Sequence, residues 1–284
     1  MLSWYLHDLE FMSALKAHQP AMDAADAYVE SLEKLVGYCS VCESGTSFQV
    51  STGVMLGVHP SLREGIQCPG CGLSNRNRLL FDAIKGVEPD RFRDGLILEA
   101  TTPLYAVLNR RWPWLQGSEY FGDEYSPGEL VDFRGGKVPH RSVTRIGLPD
   151  ASLDLIAHND VLEHVADTTK ALRECRRVLR VGGVSVFTMP FFPYRAQSLL
   201  RGRVREDGSL EHIEPPEYHG DGLRPDGIYT FFHFGMDFLA MARSAGFGRV
   251  EVGMDFDVFR GYTTNNHRYG VEALMPPIVF RAWA

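Results

Sequence analysis

The sequence predicts an α/β protein in which a mainly parallel sheet follows a small cysteine-rich module. Two observations carry this. From residue 95 onward, short apolar runs alternate with amphipathic stretches, as strands joined by crossover helices do. Before that point, four of the five cysteines fall in two pairs, Cys39-Ser-Val-Cys42 and Cys68-Pro-Gly-Cys71. The 284 residues suffice for one large domain or two unequal ones.

Taken in order, residues 3–17 and 20–36 read as two helices separated by Pro20. Met22, Ala25, Val29, Leu32 and Val36 form the apolar stripe of the second. In the cysteine module, residues 37–75, the run Ser47-Phe48-Gln49-Val50 reads as strand, with turns at Gly53 and Gly57. A helix over 76–86 turns Leu79, Leu80, Ala83 and Ile84 inward. Strands are expected at Leu96–Leu98, Glu119–Gly122, Leu153–His158, Val184–Met189, Val250–Phe256 and Ile278–Trp283. A helix over about 168–180 buries Ala171, Leu172, Cys175, Val178 and Leu179. Asp167 caps it and Gly182-Gly183 ends it. Another helix spans 236–245. Residues 194–232 break the alternation with mixed charges, Pro215-Pro216 and several histidines, and read as a functional lid.

The paired cysteines suit tetrahedral zinc, which takes thiolate sulfur at about 2.3 Å. Pro69 and Gly70 favour the tight turn that aims both sulfurs of the second pair at one point. Cys39, Cys42, Cys68 and Cys71 together would fill the coordination shell, so the zinc is structural and the module a zinc ribbon. The alternative is a pair of disulfides or redox dithiols, which needs an oxidising compartment. The N-terminus carries Asp8 and Glu10 without an apolar segment of signal-peptide kind. No apolar run is long enough to span a bilayer. These point to a reduced, cytoplasmic protein. A net charge of -7 argues against a nucleic-acid partner, although Arg63, Arg76 and Arg78 would make a local basic patch.

The run from Ile146-Gly-Leu-Pro through Asp154-Leu-Ile-Ala and Val161-Leu-Glu-His-Val165 closes on Arg177-Val-Leu-Arg-Val-Gly-Gly183. It resembles the class I S-adenosylmethionine-dependent methyltransferases of type 11, in a subgroup with an N-terminal CxxC…CxxC module. Glu211-His-Ile-Glu-Pro-Pro-Glu-Tyr-His219 and Phe232-His-Phe-Gly-Met-Asp-Phe238 also fit that subgroup. The resemblance covers roughly residues 39–283, with Val181 where the family has proline. It implies a Rossmann-like, seven-stranded, mainly parallel sheet. It also implies S-adenosylmethionine bound across the carboxyl ends of the strands, as open α/β sheets prefer. The implied organisation is helices over 1–36, a zinc-ribbon-like module over 37–75, and a methyltransferase domain over 76–284 with its lid at 194–232.

The resemblance places donor-binding residues at Glu99, Ala100, Thr101 and Thr102, after the first strand of that domain. The glycines usual in this loop are missing, and Pro103 removes an amide donor. In the acidic turn Phe121-Gly-Asp-Glu-Tyr-Ser-Pro127, Glu124 takes the ribose-binding slot beside Tyr125, with Asp123 one residue away. A carboxylate there can accept both ribose hydroxyls. Ser142 and Val143 stand where the family often has an adenine-binding acid. Asn159 and Asp160 follow the next strand, where the methyl group should sit. The reaction then needs a base for a hydroxyl or ammonium acceptor, a role histidine suits near neutral pH. His158, His219 and His233 are the candidates, while His164 reads better as a prop for its loop. His212, His219, Glu214 and Glu217 match no defined metal-ligand spacing. Phe191, Phe192 and Tyr194 border the acceptor or pack beneath the lid. The expected activity is methyl transfer to a small-molecule or sugar-containing acceptor. The rival readings are a degenerate scaffold and a zinc-ribbon nucleic-acid methyltransferase. The sequence leaves the oligomeric state open.

Overall fold

The computed structural model describes residues 2–50, 55–56, 59–264 and 270–284; the expected turns at Gly53 and Gly57 lie outside the described residues. Its central sheet has seven strands: β1 (Ser3–Tyr5), β2 (Gly95–Ile97), β3 (Leu115–Gly117), β4 (Leu153–Asn159), β5 (Leu179–Thr188), β6 (Arg249–Met254) and β7 (Ile278–Trp283). They lie in the order β1-β6-β7-β5-β4-β2-β3. The pairs β4–β5, β4–β2 and β2–β3 are parallel, and β1 pairs antiparallel with β6. The helices are α1 (Asp8–Glu30), α2 (Leu62–Gly65), α3 (Asn75–Lys85), α4 (Pro103–Arg111), α5 (Thr168–Val178) and α6 (Asp237–Ser244).

The α/β class with a mainly parallel core is therefore as the sequence predicts, but two elements differ. One helix replaces the expected pair at the N-terminus. Pro20 lies inside α1, exposed, while Phe11, Leu15, Met22 and Val29 bury one continuous stripe across it. A proline removes one backbone donor and crowds the preceding turn; the apolar face on both sides outweighs that cost. The residues assigned to the ends of the two helices are strands instead. Ser3–Tyr5 forms β1, and Lys34–Cys39 pairs with Ser44–Gln49 in a hairpin, leaving Val36 exposed. The second strand of the parallel set lies at Leu115–Gly117 rather than at Glu119–Gly122. Leu115 and Gly117 are buried and pair with β2, whereas Tyr120 and Phe121 join an aromatic cluster with Tyr125 and His140.

Helix α3 starts from the Ser74 cap and buries Leu79, Leu80, Ala83 and Ile84. Helix α5 starts where the Asp167 side chain accepts from Lys170 N–H, and buries Ala171, Leu172, Cys175 and Val178. Gly182-Gly183 does not end it: β5 begins at Leu179, and the pairing slips between Leu153↔Leu179 and Leu155↔Val184. Gly182, at φ 78°, supplies the left-handed residue of that bulge.

Two compact units divide the chain. The first holds Met1–Arg91, Thr102–Pro113 and Glu251–Arg281; the second holds Phe92–Thr101, Trp114–Val250 and Ala282–Ala284. In the first, Val29, Leu35, Phe48, Val50, Leu62 and Ile66 pack with Cys39 and Cys68 into one core. Arg78 is wholly buried there. Its guanidinium donates to the carbonyls of Ile66, Leu73, Arg260 and Gly261 and lies 4.3 Å from the Phe48 ring centroid. In the second, residues 194–232 are built from short antiparallel pairs: Leu199–Leu200 with Phe232–His233, Gly202–Val204 with Leu210–His212, and Tyr218–His219 with Ile228–Tyr229.

Candidate functional site

Parallel pairing brings the carboxyl ends of β2, β3 and β4 to one edge of the sheet. Glu99 is buried there, with 9% exposure. The next two residues turn their backbone toward the neighbouring strand. Ala100 and Thr101 N–H donate to Glu119 Oε1 at 2.9 and 3.0 Å, and the Thr101 hydroxyl donates to the same oxygen at 2.8 Å. Thr102 serves differently: its hydroxyl accepts from Tyr105 N–H and caps α4.

Glu119 was not among the residues singled out from the sequence. The assignment of Glu119–Gly122 to a strand hid it, because β3 ends at Gly117 and leaves Glu119 two residues beyond the sheet. Glu124 and Asp123 are exposed, and Asp123 accepts from the Tyr120 hydroxyl at 2.8 Å. Tyr125 packs against His140, which accepts from Phe121 N–H through Nδ1 at 3.2 Å. Burial holds the His140 pKa below its usual value. Ser142 Oγ lies 2.9 Å from Thr144 Oγ1 and accepts from Thr144 N–H, while Val143 is buried.

At the end of β4, Thr188 Oγ1 lies 2.6 Å from Asn159 Oδ1 and 2.8 Å from Asp160 Oδ1. Its single proton serves one of them at a time. Asp160 sits at φ 51°, a left-handed conformation uncommon outside glycine, and its N–H donates to Thr188 O. His158, one turn of the pleat earlier, points into the core. It has no exposure, stacks on Phe187 at 4.6 Å, and has no hydrogen-bond partner. Burial lowers its pKa to about 3.

His219 and His233, in and beside the 194–232 segment, meet at one carboxylate. His219 Nε2 and His233 Nε2 each lie 3.0 Å from Glu217 Oε1, and Arg201 lies 3.2 Å from Oε2. Hydrogen bonds from His219 and then His233 hold the Glu217 pKa well below the carboxylate range. His233 also stacks on Phe192 at 4.8 Å. His212 lies apart, against Tyr229 at 5.2 Å.

The four paired cysteines converge as their spacing predicts. Their sulfurs all lie within 4.8 Å of one another, with Cys39–Cys71 and Cys42–Cys68 at 3.8 Å. Sulfurs bonded to one zinc at tetrahedral corners sit about 3.8 Å apart, so the donor set fits. The first pair rides the hairpin Lys34–Cys39/Ser44–Gln49, and Gln67 bridges both Gln49 and Ser74 to align the second. A Cβ on Gly70 would lie 3.1 Å from Cys42 Sγ, so this glycine lets the second turn close on the sulfurs. All five cysteines are unbridged. The arginines of the suggested basic patch are engaged within the same unit: Arg63 and Arg76 pair with Glu64 at 2.7 and 2.6 Å, and Arg78 is buried.

Residues 111–187 match the methyltransferase domain family. That stretch carries the strand ends just described, with Glu119, Asn159 and Asp160 among them. The match is to the part of the chain that holds β3, β4 and α5. A protein of Mycolicibacterium smegmatis described as a "Probable S-adenosylmethionine-dependent methyltransferase" is 36% identical over 102 residues, covering 30% of this chain and 40% of that protein. A Mycobacterium tuberculosis protein with the same description is 37% identical over 54 residues, 19% of this chain and 20% of its own length. The chain thus spans less than half the length of the relatives it matches. The crystal structure of an S-adenosylmethionine-dependent methyltransferase from Mesorhizobium loti aligns with a TM-score of 0.44 and 16% identity, over 72% of this chain and 98% of that one. Among the described residues, no helix is long and apolar enough to cross a membrane.

Proposed function

We propose that this chain transfers a methyl group from S-adenosylmethionine to a small-molecule or sugar-containing acceptor. The observation that carries the reading is Glu119, a carboxylate fixed at the strand ends by the loop Ala100–Thr101. Its Oε1 takes three donors, and in this reading Oε2 accepts from the ribose hydroxyls. Glu99, Asn159 and Asp160 supply the remaining polar groups of the donor site, with Ser142 and Val143 toward the base. When bound, S-adenosylmethionine supplies an electrophilic methyl group on a sulfonium. The protein's work is to hold an acceptor in line with it and to take the acceptor's proton. His233 and His219 fill that second role, since Glu217 lies within hydrogen-bond distance of both imidazoles and orients them. His158 takes no part, because burial keeps it from any acceptor.

The cysteines hold a structural zinc in this reading, with four protein ligands and no open position. Unbridged thiols accord with a reducing, cytoplasmic setting. One observation favours the scaffold reading instead: the loop amides of Ala100 and Thr101 are already used by Glu119. Calorimetry with S-adenosylmethionine decides between them. Binding well below millimolar concentration is expected; none at millimolar concentration overturns the proposal in favour of a scaffold. The nucleic-acid reading loses its motive, because Arg63, Arg76 and Arg78 do not form a free basic face.

A further inference from the structure

A second group of metal-capable side chains meets where the turn after β4 touches the lid. Glu163 and His164 come from the short 3-10 turn Leu162–His164, and His219 comes from the lid pair Tyr218–His219. One carboxylate oxygen of Glu163 and one ring nitrogen of each histidine all lie within 4.8 Å of one another. The Glu163 side chain is wholly buried and that of His164 is 9% exposed, whereas His219 is 34% exposed and opens the cluster to one side. We propose that Glu163, His164 and His219 bind a divalent first-row metal ion, such as Mn2+ or Zn2+, separate from the four-cysteine centre.

The hydrogen bonds around the cluster prepare each imidazole as a ligand. His164 Nδ1 lies 2.8 Å from the Tyr229 carbonyl, which can only accept. The proton is therefore on Nδ1, and Nε2 keeps its lone pair, 3.6 Å from Glu163 Oε1. His219 donates through Nε2 to Glu217 at 3.0 Å, which leaves the lone pair on Nδ1. Glu217 is itself fixed by His233 and Arg201. Imidazoles that ligate metals commonly donate their other N–H to a carboxylate or a backbone carbonyl, and both partners are present here. The backbone is fixed as well, with Phe231 N–H donating to Glu163 O at 2.7 Å. Metal bonds of about 2.0–2.2 Å hold neighbouring donors roughly 3–3.5 Å apart, so a small closure of the lid strand completes the site.

Two imidazoles and a carboxylate leave coordination positions open. Resting on the methyl-transfer reading, an acceptor hydroxyl at such a position would be oriented and made more acidic. That leaves His219 to the metal and His233 as the proton acceptor. The lid spacing alone could not reveal this set, because two of its three ligands belong to the turn after β4.

The test uses the full-length protein with zinc in its cysteine site, and manganese as the probe, because Mn2+ favours oxygen and nitrogen donors over thiolates. Titration followed by electron paramagnetic resonance, with neither donor nor acceptor present, is expected to find one bound Mn2+ per chain. His219→Ala, on the more open strand, should weaken binding by at least about tenfold, and Glu163→Gln should abolish it. Calorimetry with S-adenosylmethionine should leave His219→Ala equal to the wild type, showing that the fold is intact. Wild-type protein that binds no Mn2+ at millimolar concentration overturns the inference, as does a His219→Ala variant that binds it as tightly as the wild type. Failure of donor binding with Mn2+ bound would sink the methyl-transfer reading and leave the metal site standing.

Discussion

A carboxylate oxygen that accepts from two backbone amides and a hydroxyl is held in one place, and Glu119 Oε1 is held in this way. Glu119→Gln keeps the size of the side chain but sets an amide against those donors. S-adenosylmethionine binding should then weaken by about 1.5–3 kcal/mol, the scale of hydrogen bonds to a charged group. Glu124→Ala, at an exposed position, should cost clearly less; calorimetry on the two variants ranks them, and the reverse order would return the ribose slot to Glu124. His158 gives a second test. Its pKa falls from 6.5 unfolded to about 3 folded, because burial penalises the charged ring. Between those values the unfolded chain binds the extra proton. The stability this neutral histidine confers is complete above about pH 6.5 and is lost as pH falls through that window, by up to about 1.4 kcal/mol per pH unit. His158→Phe, which can keep the stack on Phe187, should flatten that part of the curve in urea unfolding measured from pH 7 to pH 4. An unchanged slope would mean the acid sensitivity arises elsewhere.

At the scale of elements, strong local signals survived folding and weak ones were overridden. Asp167 and the 3.6-residue apolar face gave α5 away, and the cysteine pairs gave away the convergence of their four sulfurs. Pro20 misled because a breaker says nothing of the apolar stripe that continues on both sides of it. Lys34-Leu-Val-Gly-Tyr-Cys39 misled because its alternation over six residues is short beside the helical pattern before it. The run at 119–122 was expected as strand, whereas the sheet took Leu115–Gly117, where Leu115 and Gly117 are buried and Gln116 is exposed. Glu119 was illegible for the same reason, and the Glu163–His164–His219 grouping because its ligands lie far apart in the chain. Two element-level outcomes follow. Pro20→Ala should raise stability by up to about 3 kcal/mol, since it restores one helix donor at an exposed position; thermal unfolding measures it, and no gain would mean the helix has adapted fully to the proline. Purified reduced protein should contain one zinc per chain by elemental analysis. Cys68→Ser should lose that zinc and destabilise the hairpin core around Phe48 and Leu62 ahead of the sheet, because metal binding there contributes folding energy.

Across the whole molecule, the proposed function would separate two tasks within one unit: strand ends to hold a donor, and the 194–232 segment as a lid to close on an acceptor. Ordering some forty residues outside the sheet is costly in entropy, and the lid meets that cost with its own paired strands and with bonds to the turn after β4. Tyr229 accepts from His164, and Phe231 donates to the Glu163 carbonyl. Its two ends are neighbours, since Leu199 pairs with His233 and Leu200 with Phe232. The lid can therefore be cut out between Arg201 and Phe231 and closed with glycines without pulling on the sheet. The variant loses Glu217 and His219 but keeps His233, Glu99, Glu119 and the strand ends. If the division of labour holds, S-adenosylmethionine binding stays nearly intact while methyl transfer to any acceptor is lost, because lids complete acceptor pockets and exclude water. Calorimetry and a product assay with labelled donor read the two halves separately. Equal loss of both would mean that the lid also builds the donor site. Turnover that survives the cut would mean that neither His219 nor Glu217 is needed, and would shift the search for the base to His233 alone.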